Sequence, residues 1–234
     1  MTVVPARPYS EDQPFFVKLA IGFALFIVFG FGQWAARGMA NYSTIPFWVP
    51  LHGLAMLAWL GLFVAQNRLA TTNLRLHRKL GKTAAILVAA IVVLAWFSAF
   101  MAVQLHRVPP FFTPAFFLAL SMIESTAFAA MVIWGVSRRR EPEFHRRLMF
   151  GATIIAAEPA FGRLLPMPFM HGLGEWAIMA CQLLMLAFVV RHDRQRLGQV
   201  HPATFISGLV IVAIHVANEL AGSSAPMLAL AARL

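Results

Sequence analysis

The sequence predicts an all-α membrane protein. Its form is a seven-transmembrane-helix bundle, one leading helix plus three related helical hairpins, with the N-terminus inside and the C-terminus outside. Three observations predict it. Hydrophobic residues fill 60% of the 234 positions and charged residues 12%, against about 45–50% and 25% in soluble domains. Apolar runs recur from end to end, near the roughly 20 residues a helix needs to cross hydrocarbon. The runs are continuous rather than alternating, which favours helices over a barrel.

Residues 1–14 form a polar N-terminal segment containing Pro5, Pro8, Glu11 and Asp12. The apolar run after it lacks a small-residue cleavage site, so it reads as a retained helix and not a signal peptide. The expected spans are 15–36, 47–66, 83–104, 111–135, 148–165, 172–190 and 203–222, the fifth and sixth being short. Residues 15–222 thus make one transmembrane domain, and 223–234 an interfacial tail. In the first span Gly30 and Gly32 beside Gln33 predict close helix packing.

Charge sets the orientation. With the N-terminus inside, 15 of the 19 Lys and Arg residues fall on the inner side, leaving Arg37, Arg107, Arg163 and Arg233 outside. Every alternate loop obeys the positive-inside rule. The formal net charge of +10 is therefore a topology signal, with attraction to anionic lipid. No basic amphipathic segment with interleaved aromatics lies outside the spans, so nucleic acid is excluded as a partner. The single cysteine, Cys181, makes no internal disulfide and reads as a packing residue.

A short repeat organises the chain after the first helix. Each inner loop ends in a histidine that opens the next span: Leu76-His77-Arg78-Lys79-Leu80, Phe144-His145-Arg146-Arg147-Leu148 and Val200-His201-Pro202-Ala203-Thr204. Each helix leading to those loops begins near Pro50, Pro114 or Pro168. These motifs, with His52, Trp59 and Gln66, resemble a set of uncharacterised bacterial multi-pass membrane proteins. They are distantly similar to the CtaM-type cytochrome-oxidase assembly proteins, over about Pro50 to Thr204. The distant resemblance implies haem-copper oxidase biogenesis in a bacterial inner membrane; seven spans depart from that family's smaller core.

Ionisable residues inside spans are costly and therefore candidates for function. Glu124, Glu158 and Glu219 qualify, each either a neutral acid in an interhelical hydrogen bond or a member of a proton relay or metal site. Pro159 frees a carbonyl beside Glu158 and favours an inward-lining position there. His215, Asn218 and Glu219 share one helical face, which must point at protein. His52, His106 and His171 fall near the same outer level, so four imidazoles are expected to gather there. The cofactor ligands are then His52, His171 and His215 for haem b, with copper or zinc as the alternative on His52, His106, His171, His215 and Glu219. His77, His145 and His201 read as histidines satisfied at helix starts, and His192 as solvated.

Several enzyme classes fail on absence. There is no His-x-x-His-His run, no buried Schiff-base lysine, no phosphate-cradling glycine loop and no Gly-x-Ser-x-Gly elbow. The leading expectation is a haem b or metal binding protein linked to respiratory electron transfer or oxidase assembly. The alternatives are a non-catalytic subunit binding respiratory-chain or other membrane proteins, and a small proton-coupled transporter using Glu124, Glu158 and Glu219.

Overall fold

A computed structural model describes residues 9–39, 44–170 and 172–234, and those residues contain only helices, turns and loops. The helices in chain order are α1 (Tyr9–Ala36), α2 (Trp48–Thr72), α3 (Leu74–Gln104), α4 (Pro114–Ser137), α5 (Pro142–Ile155), α6 (Glu158–Leu164), α7 (Gly174–Leu197), α8 (Pro202–Gly222) and α9 (Ala225–Ala232). Six of them, α1 to α4, α7 and α8, are long and apolar enough to cross a membrane. Their outward faces carry Leu25, Phe29, Ile86, Val93, Ile133, Leu184, Phe205 and Leu220, all exposed. Such a surface, apolar nearly all round, suits lipid and not water. The chain is a multi-pass membrane protein.

Local sequence explains the boundaries. A single residue, Asn73, separates α2 from α3, and its Oδ1 caps α3 by accepting from Leu76 N at 3.0 Å. Thr113 caps α4 likewise, with Pro114 at the first helical position. Gly198, at φ +73°, ends α7 in the left-handed conformation that glycine adopts freely. Several boundaries expected from hydropathy move outward: α1, α3 and α5 begin at least six residues earlier, α2 runs on to Thr72 and α7 to Leu197. Hydropathy marks the lipid-immersed part of a helix; caps and charged turns continue it into the headgroups. The tail folds as α9 and packs on α4 and α8.

The fifth expected span is two helices. Seven residues of α6 follow 14 of α5, with a break at Ala156 and Ala157. Pro159 has no N–H to give to the carbonyl four residues back. That carbonyl, Ile155 O, instead accepts from Gln182 Nε2 of α7 at 3.2 Å. Close approaches then lock the bundle. A Cβ on Gly151 of α5 would lie 2.8 Å from Ser207 Cβ of α8, and one on Gly30 of α1 3.0 Å from Ala160 Cβ of α6. Gly32 has open space around it among the described residues, so of the pair beside Gln33 only Gly30 serves helix contact.

At the face holding Asn73, the 138–141 turn and Gly198, here the basic face, ionic side chains tie five helices together. Arg147, 1% exposed, gives Nε and Nη2 to Asp193 Oδ1 at 2.9 and 2.6 Å. The other Asp193 oxygen accepts from Thr204 Oγ1 at 2.6 Å and His201 N at 3.1 Å. Arg146 pairs with Glu143 at 2.7 Å, lies 3.7 Å over the Phe16 ring and faces Asp12 at 3.9 Å. Asp12 also meets His192 at 3.4 Å and Arg196 at 3.3 Å. Gln13 carries the network on to the Asn67 carbonyl of α2. His192, expected to be solvated, is buried and stacked on Phe15 with centroids 3.8 Å apart. Burial works against ionisation of Glu143, yet Arg146 and Arg147 hold its carboxyl below the usual carboxylate range. Burial, and after it the Arg147 guanidinium, depresses His201.

The repeated histidines show a shared device in two of three hairpins. His77 Nδ1 lies 3.2 Å from Gln66 O, and His145 Nδ1 2.7 Å from Gly135 O, each on the preceding helix. The third, His201, instead accepts from Ala203 N at 3.1 Å and caps α8. All three stand at helix starts, as expected; a carbonyl of the preceding helix partners His77 and His145, and the α8 N-terminus partners His201.

Candidate polar site within the bundle

Away from the basic face, α4, α7 and α8 bring a second set of polar groups into an apolar interior. On α7, Glu175, Ile178, Gln182, Met185, Leu186 and Val189 are buried, an i, i+3, i+7 stripe that faces protein. On α8 the buried stripe is Ser207, Ile211, His215, Asn218 and Gly222. Glu124 comes from the buried face of α4.

His215 is fully buried, with Nδ1 2.6 Å from Glu175 Oε1 and Nε2 2.9 Å from Gln182 Oε1. The Gln182 amide is oriented by its bond to Ile155 O, so its oxygen faces the imidazole. The break set by Pro159 therefore fixes the ring of His215 through one side chain. Asn218 gives Nδ2 to Glu175 Oε1 at 2.8 Å and to Glu124 Oε1 at 3.4 Å. One ligand atom from each of Glu124, Glu175 and His215 lies within 4.8 Å of the others. Glu124 Oε2, Glu175 Oε2 and Asn218 Oδ1 are buried without a hydrogen-bond partner among the described residues. Unpaired buried oxygens of this kind are expensive and call for an ion, a proton or a ligand.

The expected site residues fall in different places. Glu124 and His215 are brought together. Glu219 is only half-buried, and the carboxylate at hydrogen-bond distance from His215 is Glu175. Glu158 is buried at the first turn of α6, outside the hydrogen-bonded cluster but within electrostatic reach of Glu124 and Glu175. His52 is half-buried near the start of α2, a helix that packs on α1 and α3, and its buried Nδ1 has no partner among the described residues. His106 is exposed beyond the end of α3, in a left-handed conformation at φ 53°. His171 lies outside the described residues. Among those residues the metal-type cluster contains one imidazole, not four.

Glu175 and Gln182 were missed by sequence reasoning. Glu175 opens its helix and passes for an interfacial residue, while Gln182 is uncharged. The signal that finds them is their spacing of seven, two helical turns, on one face of an otherwise apolar run.

No family model, curated protein or solved structure matches the chain.

Proposed function

We propose that the protein binds a divalent first-row transition-metal ion within the bilayer, with Glu124, Glu175 and His215 as ligands. The observation that carries this reading is the convergence of three ligand atoms within 4.8 Å. Two carboxylates and a neutral imidazole sum to −2, and a dication brings these three ligands together to neutrality. Zinc holds such ligands at about 2.0–2.2 Å, roughly 3.4 Å from one another, so modest side-chain rotation closes the site. Nδ1 of His215 then turns from Glu175 to the ion, while Nε2–H keeps its bond to Gln182, the outer partner that ligating histidines use. Rotating the Asn218 amide supplies a fourth oxygen. The oxygen-rich, thiolate-free donor set suits zinc, iron(II) or manganese chemistry.

Haem b is the weaker alternative, because a porphyrin iron needs an imidazole nitrogen free to reach it. The nitrogens of His215 meet Glu175 and Gln182 instead. A proton relay is weaker too: the chain Glu124, Asn218, Glu175, His215, Gln182 ends on the Ile155 carbonyl. Around this site we read seven crossings, with the apolar part of α5 and α6 together making the seventh, and the basic face inside a bacterial inner membrane. A role in oxidase assembly or respiratory electron transfer rests on the sequence motifs alone.

The test is zinc binding by the purified protein in mild detergent. Wild type takes up one equivalent per chain, Glu219→Gln does the same, and Glu175→Gln and His215→Ala each weaken binding at least tenfold while remaining monodisperse. Wild type without zinc uptake, or both variants at full occupancy, sinks the assignment.

A further inference from the structure

A groove of about 570 Å³ runs between α1, α6 and α7, away from the polar site. Its wall is apolar, with Phe23 and Leu19 on one side and Leu184 and Phe188 on the other. It exists because of Gly22: a Cβ there would meet nothing within 4 Å, so the glycine leaves space instead of filling a helix contact. At one end Phe26 and Phe161 close it, their rings 5.0 Å apart. At the basic face stands Lys18, the single charged residue of the lining, exposed and with no ion-pair partner among the described residues. Arg191, also exposed, follows Phe188 by about one helical turn on the same side of α7.

Length and charge together identify the occupant. From Phe15 to Phe26 the groove runs along 11 helical steps, about 16 Å. That is half of the roughly 30 Å hydrocarbon core, or one leaflet. A ligand lying in it has a chain one leaflet long and, at the basic face, a group that meets two cations. We propose that the groove binds one acyl chain of an anionic phospholipid whose headgroup phosphate is held by Lys18 and Arg191. A bilayer-exposed crevice accepts any acyl chain; the two cations select the anionic headgroup. The site is independent of the metal reading.

The lone cysteine, Cys181, lines the groove and reports on it. The experiment is native mass spectrometry of the delipidated protein titrated with phosphatidylglycerol or phosphatidylcholine of identical chains. Its companion is the rate of Cys181 alkylation by N-ethylmaleimide in the same samples. Wild type retains one phosphatidylglycerol at a concentration at least tenfold below that for phosphatidylcholine, and saturation slows alkylation. Gly22→Leu, which fills the groove, abolishes the tight binding and the protection. Lys18→Gln with Arg191→Gln brings the two lipids to equal binding and keeps the test open should Gly22→Leu fold poorly. Equal retention of both lipids by wild type, or tight binding that survives the double charge substitution, overturns the proposal.

Discussion

The two polar clusters differ in their charge balance. At the basic face three carboxylates (Asp12, Glu143, Asp193) meet three guanidiniums (Arg146, Arg147, Arg196). Within the bundle, Glu124 and Glu175 share one imidazole, and each keeps an unpartnered oxygen. Matched charges at a helix junction fix geometry. Unmatched carboxylates under hydrocarbon raise the energy of the empty protein and favour whatever neutralises them. The comparison teaches where stability and function separate in this chain.

Breaking the matched cluster gives the largest effect. Asp193→Ala leaves the buried Nε and Nη2 of Arg147 without an acceptor and Glu143 as its one carboxylate partner among the described residues, and loss of one member of a buried pair costs up to about 3–5 kcal/mol. Thermal unfolding in detergent shows this as a large fall in Tm, and the surviving folded protein keeps its zinc affinity. The bundle cluster responds in the reverse way. Gln182→Ala leaves the chain folded, at a cost of about 1–3 kcal/mol for the orphaned Ile155 carbonyl, but frees the His215 ring, and loss of an outer partner lowers metal affinity about 10–100-fold. A competition titration against a chelator measures it. Glu124→Gln removes one of two like charges, so the metal-free protein gains about 0.5–2 kcal/mol, as relief of a functional site commonly does.

Acid sharpens the contrast further. His201 and Glu143 are both depressed in the folded protein, so each contributes stability that is full above its ordinary value, 6.5 and 4.5. That contribution is lost as the pH falls through the lower folded values. Tm should therefore decline on acidification in two stages, and Glu143→Gln should remove the lower one. The smallest effect is at Glu219: half-buried and outside the cluster, it should tolerate Gln within about 0.5 kcal/mol.

Much of the fold was legible because lipid imposes a simple rule on composition. The six long helices follow from apolar runs; the caps at Asn73 and Thr113 are local hydrogen-bond chemistry that hydropathy does not mark. The broken fifth span was legible only as Pro159 and a freed carbonyl; that Gln182 would take the carbonyl depends on which helices are neighbours. Of the bundle site, Glu124, His215 and Asn218 stood out as polar residues in apolar helices. Glu219 stands out in the sequence because it lies four residues from His215, whereas Glu175 reaches the imidazole from another helix. The basic-face network was hidden for the opposite reason. Arg146, Arg147 and His192 look like ordinary loop charges until α1, α5 and α7 close over them.

The central claim, that the unmatched cluster is a metal site, is tested most directly by X-ray absorption at the zinc edge of the zinc-loaded protein. The account predicts about four oxygen and nitrogen ligands at roughly 2.0–2.2 Å, with outer-shell scattering from one imidazole that disappears in His215→Ala. A first shell containing sulfur, several imidazoles, or a spectrum unchanged in His215→Ala would contradict it.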